Sequence, residues 1–376
     1  MAAVPSAPPS FSLRLAEPED FDAYIDAFEA VAAEGRWLGA EAPVDRDARR
    51  ATFDRAVAGE DSVLFLADAG DTILGAMYAW LSGGVVDIGM FVACGHRGGG
   101  IGSRLMEAVI DWARAQRAHK ISLAVWPTNH PAIGLYARYG FRIEGTRRRH
   151  YPRRNGALWD AMWMGLILDE ATPGGPGPPE PQRPPVVVPD GGLRSTAVPG
   201  TTARAAAADG IVLREWRRAD IPALVAAIDD PEIRRTLPHI PNPYTPADAE
   251  EYIAGTRVAL TAGTTVAVAI EVDGVVAGSV DLRLLHGVDG TTAETGYWVA
   301  APVRGRGVAS TATRLLSDYG FEALGLRRVE LNAAVDNPAS RRVAEKAGFE
   351  LEGIRRSWRT VAGVPTDFAL YSRLAH

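Results

Sequence analysis

The chain has 376 residues, of which 47% are hydrophobic and 23% are charged, and its formal net charge is −6. A chain of this length is too long for one ordinary hydrophobic core, so we expect two domains. Its negative net charge argues against a nucleic-acid partner. The single cysteine, Cys94, excludes an intrachain disulfide and a four-thiolate metal site, and the histidines lack metal spacing, so we expect no metal. Neither a leader of basic and apolar residues nor an apolar run of about 18 residues is visible, so we expect a cytoplasmic protein with no membrane partner.

Residues 1–11 are predicted to form a disordered tail, and residues 12–170 to form the first domain. This domain starts with a strand at Ser12 to Leu15, followed by helical segments that begin near a cluster of acidic residues. Three further strands then lead through a glycine-rich loop into a long helix, Ser103 to Ala118, whose apolar residues recur at helical spacing. A strand, another helix and a final hairpin complete an α+β domain with a central mixed sheet.

Proline and glycine dominate the start of the segment 171–210, which is predicted to be an extended linker, and residues 211–376 are predicted to form a second domain. Landmarks of the first domain recur in the second at an offset of 200 residues near its start and of 207 or 208 residues later. The recurring pairs include Arg14 and Arg214, Asp20 and Asp220, Gly100 and Gly307, Asn129 and Asn337, Phe141 and Phe349, and Asp160 and Asp367. A nearly constant offset over so many landmarks predicts a duplicated fold.

The glycine-rich loop carries most of the chemistry. Glycines leave room for backbone N–H groups to converge, and the loop ends at a helix N-terminus, which favours an anion such as a pyrophosphate. The first copy has Gly98, Gly99, Gly100 and Gly102, and the second has Gly305, Gly307 and Ala309, with Arg304 and Arg306 adding positive charge. A tight turn without a ligand is the alternative for any single loop of this kind. A dinucleotide fingerprint fits poorly, because Lys120 stands in the region of the acidic ribose ligand, and the GKS or GKT of a P-loop is absent.

Together with the asparagine and the Gly-Phe pair that follow it, this loop resembles one known family. The motif V-x-x-x-x-R-G-x-G-I/V-G/A, at Val92 to Gly102 and Val299 to Ala309, resembles that of the GNAT superfamily of acyl-CoA-dependent N-acetyltransferases. The resemblance covers residues 12–168 and 211–374. It implies two tandem GNAT-type domains, each with a central mixed, mostly antiparallel sheet flanked by helices. It also implies acetyl-CoA, or another short acyl-CoA, as the cofactor.

The resemblance further implies which residues contact the cofactor. In the family, the loop amides bind the CoA pyrophosphate, and the preceding strand pairs with the pantetheine arm and is splayed so that an apolar slot receives the thioester. In the first domain the implied residues are Met90, Phe91, Val92, Arg97, Gly98, Gly99, Gly100, Ile101, Gly102, Ser103, Asn129 and Tyr136. In the second domain they are Tyr297, Trp298, Val299, Arg304, Gly305, Arg306, Gly307, Val308, Ala309, Ser310 and Asn337.

The two domains differ at the implied general acid. The first half resembles acetyltransferases of small amines, amino acids and peptides, which makes Tyr136 the proton donor to the departing thiolate; packing in the core is the alternative. The second half has Ala344 at the matching position and resembles acetyltransferases that modify ribosomal-protein N-termini. That group implies Ser340 as the acid, and a helix N-terminal cap is the alternative.

Deprotonation of the attacking amine requires a base or a water relay. Asp87 and Glu294 stand at matching positions on the strand before the loop, where the family often has an acidic base. Each is also compatible with an exposed strand residue or a substrate anchor, and a one-residue error in the register would move it to the other face of the sheet. A basic run between Arg147 and Arg154 is interpreted as a solvated hairpin, with a phosphate site as the alternative.

We therefore expect an acetyl-CoA-dependent N-acetyltransferase whose partner is the primary amine of a small molecule, an amino acid or a protein N-terminus. One alternative is a single catalytic domain beside a domain that binds acyl-CoA for regulation or for shape. Another is a non-catalytic acetyl-CoA sensor. The sequence predicts neither the particular amine nor the preferred acyl chain nor the oligomeric state.

Overall fold

A computed structural model of the chain describes residues 11–59, 61–70, 72–168, 204–208, 210–236, 240–284, 290–361 and 363–375. The chain divides into two compact units, which are built around Met1–Gln182 and around Arg183–Arg355 with Val361–His376. We call them the N-terminal unit and the C-terminal unit. The predicted tail, apart from Phe11, and the predicted linker up to residue 203 lie outside the described residues.

The N-terminal unit is built on a seven-stranded sheet in the order β1-β2-β3-β4-β5-β7-β6. Its elements in chain order are β1 (Ser12–Leu15), a 3₁₀ turn (Pro18–Asp20), α1 (Phe21–Ala33), α2 (Arg46–Ala58), β2 (Ser62–Asp68), β3 (Ile73–Ser82), β4 (Val85–Val92), α3 (Ile101–Ala115), β5 (Lys120–Val125), α4 (His130–Arg138), β6 (Arg142–Pro152) and β7 (Leu158–Ile167). β4 and β5 run parallel, whereas the other paired strands described in this unit run antiparallel.

The C-terminal unit repeats this arrangement, with the strand order β8-β9-β10-β11-β12-β13-β15-β14. Its elements are β8 (Arg204–Ala208), β9 (Ile211–Arg214), a 3₁₀ turn (Arg218–Asp220), α5 (Ile221–Ile228), α6 (Pro231–Thr236), α7 (Pro246–Thr261), β10 (Thr265–Val272), β11 (Val275–Leu284), β12 (Thr292–Val299), a 3₁₀ turn (Ala301–Val303), α8 (Val308–Ala323), β13 (Arg328–Ala334), α9 (Pro338–Lys346), β14 (Glu350–Val361) and β15 (Val364–Leu374). The parallel pair is β12 with β13. β8 lies inside the range that composition assigned to the linker, and it pairs with β9 at the edge of the sheet.

Side-chain alternation along the strands divides each core between the two faces of the sheet. Met90 of β4 packs in the cluster that contains α3 and α4, whereas the next residue, Phe91, packs in the cluster of α1 and α2. In the C-terminal unit, Tyr297 of β12 packs against the cluster of α8, and Trp298 against that of α5 and α7. We call the side of α3, α4, α8 and α9 the loop face, and the side of α1, α2, α5 and α7 the opposite face.

These sheets confirm the predicted α+β fold with mixed, mostly antiparallel strands. The long helix of the first domain differs in its bounds from the sequence prediction. It begins at Ile101 rather than Ser103, and it ends at Ala115, shortly before Arg117 adopts a positive φ of 56°. None of the helices in the described ranges has both the length and the apolar character needed to cross a membrane.

An arginine on β1 and its counterpart on β9 explain the earliest recurring landmarks. Arg14 binds Asp20 through two hydrogen bonds of 2.6 and 2.7 Å and Asp68 of β2 through one of 2.7 Å. Arg214 likewise binds Asp220, at 2.7 and 2.9 Å, and a glutamate of β10 at 2.6 Å. In both units the ion pairs join the strand of the arginine, the 3₁₀ turn that follows it and the neighbouring strand, β2 or β10.

Loss of Asp220 should destabilise the C-terminal unit more than loss of Asp20 destabilises the N-terminal unit. Arg214 and Asp220 are each only 8% exposed, so Asp220→Ala leaves a buried cation short of a partner and should lower the free energy of unfolding by about 3 kcal/mol. Arg14 is 33% exposed, and solvent screening reduces the loss expected for Asp20→Ala to about 1 kcal/mol. Calorimetric unfolding of the two variants measures this difference, and equal losses would contradict it.

The penalty of Asp220→Ala should also shrink in acid. Burial alone would raise the pKa of Asp220, but its hydrogen bonds, first of all those from Arg214, hold the pKa below its usual value. The ionised form is therefore favoured in the folded state. Its contribution to stability is complete above about pH 4 and is lost as the pH falls through the lowered pKa, which a pH series of the same unfolding experiment would detect.

Candidate active sites

The central parallel strands of each unit separate before they end. β4 leaves its partner β5 after Ile88 and continues to Val92, while β12 leaves β13 after Glu294 and continues to Val299. We call this separation the fork. Beyond it, alternate amide and carbonyl groups of β4 point into the gap between β4 and β5, and those of β12 point into the gap between β12 and β13. Both units therefore contain the splayed strand that the resemblance implies.

On its other side, the strand beyond the fork lies very close to its neighbour. A Cβ atom on Gly75 of β3 would lie 2.8 Å from the carbonyl oxygen of Phe91, nearer than real Cβ atoms come. Gly278 of β11 stands in the same relation to the carbonyl oxygen of Trp298. The absence of a side chain at these two positions permits this close approach, and the gap opens on the far side.

The glycine-rich loop follows the fork and ends at a helix N-terminus. Gly100 and Gly307 are the N-caps of α3 and α8, and their φ angles of 86° and 82° are ones that residues with a side chain rarely adopt. A Cβ atom on Gly98 or Gly305 would meet no atom within 4 Å, so the loop surface is open at these points. An open loop at a helix N-terminus, next to unpaired strand edges, is suited to an anionic group with an extended arm.

The structure brings the predicted cofactor residues together around the fork and the loop. Met90–Val92 and Tyr297–Val299 form the strand ends beyond the fork, Arg97–Gly100 and Arg304–Gly307 form the loops, and Ile101–Ser103 and Val308–Ser310 form the first helical turns. Asn129 and Asn337 are the N-caps of α4 and α9 and accept the amide hydrogens of Ala132 and Ser340, at 3.3 and 3.0 Å. Since the cap engages the side-chain oxygen, a ligand would be contacted through the amide nitrogen.

The first arginine of each loop is held by the protein itself. Arg97 donates from Nε to the carbonyl oxygen of Val92 at 2.9 Å, and its two terminal nitrogens bind Glu34 at 2.8 and 2.5 Å. These hydrogen bonds lower the pKa of Glu34, which also accepts the indole N–H of Trp37 at 2.6 Å. Arg97 therefore ties the strand end to the end of α1, and its charge is compensated.

Arg304 repeats this geometry in the C-terminal unit. Its Nε donates to the carbonyl oxygen of Val299 at 3.2 Å, and its terminal nitrogens pair with Glu232 at 2.7 Å and Asp230 at 3.0 Å. The sequence predicts that Arg304 adds positive charge to the loop, and the structure shows that two acidic side chains compensate this charge. Arg97 and Arg304 therefore shape their loops, whereas the Arg306 side chain is 56% exposed, and anion binding would rest first on backbone amides.

Tyr136 lies on α4 at the loop face and is 7% exposed, with its ring 5.8 Å from that of Phe141. Within the described part of the chain its hydroxyl makes no hydrogen bond, and burial raises its pKa to about 12. The alternative of a hydroxyl bound to a backbone carbonyl describes Tyr139 instead, which donates to the carbonyl oxygen of Ser103 at 3.1 Å. A buried phenol with a raised pKa stays protonated at neutral pH, as a proton donor must.

Ser340 lies in the first turn of α9, and its interpretation as a helix cap is wrong. Asn337 is the cap, and Ser340 contributes the backbone amide that this cap accepts. The Ser340 hydroxyl lies 2.9 Å from the hydroxyl of Tyr297, which reaches it from β12. Burial raises the pKa of Tyr297 to about 12, although the hydrogen bond with Ser340 acts in the opposite direction.

Asp87 and Glu294 lie on the opposite face of the sheet, at the point where the strands separate. Asp87 shares its side of β4 with Phe91, which packs among α1 and α2, and Glu294 shares its side of β12 with Trp298. The strand register thus separates these carboxylates from the hydroxyl groups of the loop face. In each unit the carboxylate and the hydroxyl therefore lie on opposite faces of the sheet.

Asp281 is a candidate site residue that the sequence reasoning missed. It faces Gly296 across the β11–β12 pair and accepts its amide hydrogen at 3.1 Å. Arg283 lies between two carboxylates, 3.4 Å from Asp281 and 3.2 Å from Glu294. Burial raises the pKa of Asp281 to about 6 despite this cation. The signal in the sequence is the pair Asp281 and Arg283, the two charged residues of β11, which lie two positions apart and therefore on one face of the strand.

The basic run near the end of the N-terminal domain is solvated only in part, because Arg149 and Arg154 are exposed whereas His150 and Arg153 are buried. His150 and Arg153 are 2% and 4% exposed. The Arg153 guanidinium donates to backbone carbonyls of residues 35–39 at 3.0–3.1 Å, and the backbone amide of Arg154 binds Glu41 at 2.8 Å. The run therefore holds the connection between α1 and α2. No group of three or more His, Cys, Asp or Glu side chains among the described residues is placed to hold a metal ion.

Each unit of the chain has a fork that is followed by a glycine-rich loop. Comparison with known proteins identifies the class of protein to which such a chain belongs. Residues 26–141 match the Acetyltransferase (GNAT) family, and residues 211–350 match the Acetyltransferase (GNAT) domain. The chain belongs to the GNAT acetyltransferase family, a class of acetyl-CoA-dependent N-acyltransferases.

Two relatives illustrate the range of acceptors within this class. The putative ribosomal N-acetyltransferase YdaF of Bacillus subtilis is 42% identical over 102 residues, which are 27% of this chain and 55% of that protein. The L-methionine sulfoximine/L-methionine sulfone acetyltransferase of Pseudomonas aeruginosa is 36% identical over 135 residues, or 34% of this chain and 78% of that protein. The match with YdaF spans about half the length of that protein. Among solved structures, Mycobacterium smegmatis RimJ in complex with CoA-disulfide has 24% identity and a TM-score of 0.40 over 44% of this chain and 82% of that chain.

Substitution of the helix-capping glycines should remove CoA binding from one unit at a time. Gly100→Val and Gly307→Val each force a β-branched residue into a positive φ, and the resulting shift of the loop should weaken CoA binding in the affected unit by at least about tenfold. Calorimetric titration with CoA should show two sites in the wild-type chain and one strong site in each variant.

The matched control is Gly263→Val, which creates comparable strain at a φ of 66° after α7, away from the loop. It should retain both sites. A Gly307→Val variant that still binds two CoA molecules with wild-type affinity would contradict the role of the loop.

Proposed function

We propose that the protein transfers an acetyl group from acetyl-CoA to a primary amine and that each of its two units binds one acetyl-CoA molecule. The observation that carries this proposal is the repeated sequence of fork, glycine-rich loop and capped helix. The fork offers strand edges to the amides of a pantetheine arm, and the helix N-terminus accepts the pyrophosphate. The thioester would then lie in the gap, between the carboxylate of one face and the hydroxyl of the other.

In the N-terminal unit the proposed acid is Tyr136. The amine nitrogen attacks the thioester carbonyl, the carbon–sulfur bond breaks, and the leaving thiolate takes the phenol proton. The amine loses its proton toward the side of the sheet that carries Asp87, and backbone N–H groups beyond the fork stabilise the oxyanion. Acetyl-CoA supplies the activated acyl group, while the protein positions it and moves protons.

The acceptor surfaces of the two units differ, and we propose that their substrates differ too. On the opposite face of the N-terminal unit, Asp87 lies across from Trp80 of β3, an aromatic side chain that is 46% exposed. The C-terminal unit places Arg283 and the two carboxylates that it pairs with on this face. The first surface suits an amine with an apolar body, such as an amino acid. The second suits a polar acceptor such as a peptide N-terminus.

The test is an acceptor screen on the full chain, followed by removal of the proposed acid. Wild-type protein with acetyl-CoA should release CoA thiol in the presence of L-methionine sulfone, a free L-amino acid, or a peptide that starts with serine. Tyr136→Phe should reduce kcat for the acceptor of the N-terminal unit by about 100-fold and leave CoA affinity unchanged, because only the proton donor is lost.

Tyr139→Phe is the matched control. It removes a phenol hydroxyl at the C-cap of the same helix, α4, and this hydroxyl donates to the carbonyl oxygen of Ser103. It should change kcat by no more than about twofold. Loss of CoA affinity in Tyr136→Phe, rather than loss of rate, would count against the acid role. Absence of CoA binding to either unit would defeat the proposed function.

The C-terminal unit should show an acidic limb in its pH profile. Asp281, with a pKa of about 6, loses its proton as the pH rises through that value. If its carboxylate assists loss of the amine proton, kcat/KM for the C-terminal acceptor should rise with pH through about 6 and level off above it. Asp281→Asn should flatten that limb, and a limb that persists in this variant would assign the titration to another group.

A second candidate function keeps catalysis in one unit and acyl-CoA binding in the other. The observation in its favour is Ala344, which stands where the N-terminal unit has Tyr136 and is fully buried. Under this alternative, every acceptor in the screen would lose turnover in Tyr136→Phe, while titration would still count two CoA sites.

A further inference from the structure

The phenol at the loop face has different positions in the two units. In the N-terminal unit Tyr136 stands on α4, and Met90 of β4 packs against the same core cluster. In the C-terminal unit the matching helix residue is Ala344, and the matching strand residue is Tyr297. The exchange is reciprocal, since each unit has one tyrosine and one smaller or more flexible residue at this pair of positions.

Both strand residues face the same part of the fold. Met90 approaches the first turn of α3, where its Sδ would lie 3.6 Å from a Cβ atom on Gly102. Tyr297 packs against the core cluster that contains Ala344. Tyr297 and Ala344 therefore belong to one core cluster, as Met90 and Tyr136 do in the other unit, and close packing couples the sizes of side chains within such a cluster.

The Tyr297 hydroxyl contacts both the side-chain hydroxyl and the backbone carbonyl oxygen of Ser340. The two hydroxyl oxygens lie 2.9 Å apart, whereas the Ser340 carbonyl oxygen is 3.5 Å from the phenol. The N-terminal unit has Ala132 at the position of Ser340, so this hydroxyl pair occurs only with the relocated phenol. Neither hydroxyl is explained by capping, because Asn337 caps the helix.

We propose that Tyr297 is a positioning residue for proton transfer in the C-terminal unit, where its phenol acts through the Ser340 hydroxyl and replaces the direct donor Tyr136. This inference rests on the proposed acetyl transfer. It assigns to the Tyr297 side chain a role separate from the backbone contacts expected of its strand.

The proton balance of the step is closed. The amine nitrogen bonds to the carbonyl carbon, the carbon–sulfur bond breaks, and the thiolate takes the proton of the Ser340 hydroxyl. The Ser340 oxygen takes the phenol proton of Tyr297 across their hydrogen bond, and the phenolate is reprotonated by the proton that the amine gives up to solvent. A serine hydroxyl alone is a very weak acid, and the phenol lowers the cost of its transient deprotonation.

The experiment uses the full chain with Tyr136→Phe, so that the remaining CoA thiol release with a serine-initiated peptide or L-methionine sulfone reports the C-terminal unit. Adding Tyr297→Phe should lower kcat by about tenfold or more, with KM for acetyl-CoA unchanged. Adding Ser340→Ala to that chain should cause little further loss, because residues that act as a unit are not additive. The matched control, Tyr319→Phe, removes a hydroxyl from another tyrosine packed against the same core and should retain kcat.

A rescue variant separates proton transfer from packing. Tyr297→Met alone should be as slow as Tyr297→Phe, whereas Tyr297→Met combined with Ala344→Tyr recreates the pair of the N-terminal unit and should recover part of kcat. An unchanged kcat in Tyr297→Phe, or a change confined to KM, would overturn the proposal.

The proposed function and this inference fail in different ways. A wild-type chain that turns over beside a Tyr136→Phe chain that releases no thiol with any acceptor would overturn the inference alone. A wild-type chain that binds no CoA would overturn both.

Discussion

The separation of two parallel strands is the constraint on which each unit depends. A strand in the middle of a sheet normally satisfies its amides and carbonyls on both sides, and buried backbone groups without partners are costly. β4 and β12 give up one partner beyond Ile88 and Glu294 while they keep the other. An extended ligand that carries its own amides can meet this need, and the loop and capped helix at the end of the same strand meet the charge of its phosphates. A cofactor site at this position would be built largely from backbone, and the two units differ there in side chains such as Phe91 and Trp298 or Gly102 and Ala309.

The side chains around this backbone frame have diverged. Arg97 and Arg304 make the same contact with the strand end, and Asn129 and Asn337 cap the same helix. The acid positions and the opposite face differ instead. Under the proposed function, duplication would have retained the residues that hold a common acyl donor and changed those that meet the acceptor, as expected when one co-substrate is shared and the other is not.

Much of this could be predicted from the sequence, because its strongest signals are local. Glycine spacing, the strand before it and the repeat offset specify the loop, and side-chain alternation specifies the sheet. The partners of charged residues could not be predicted in the same way. The sequence predicts that Arg304 adds positive charge to the loop but does not predict its pairing with Glu232, which is distant in the sequence. It predicts a solvated basic run, whereas His150 and Arg153 are buried, and Arg153 binds a connection more than 100 residues earlier. Asp281 and the Tyr297–Ser340 contact depend likewise on pairing across strands and helices, which periodicity alone does not specify.

The two glycines that face the strand ends from β3 and β11 have a wider consequence. Gly75 and Gly278 lie outside the glycine-rich motif and on strands that the ligand arm would not touch. Even one methyl group there would push the neighbouring strand toward the gap and narrow it. The width of the opening is thus set from behind, by a missing side chain one strand away. A family signature confined to residues that contact the ligand would overlook these positions. A chain with an intact glycine-rich loop but alanine at these two positions would have a narrower gap for its cofactor.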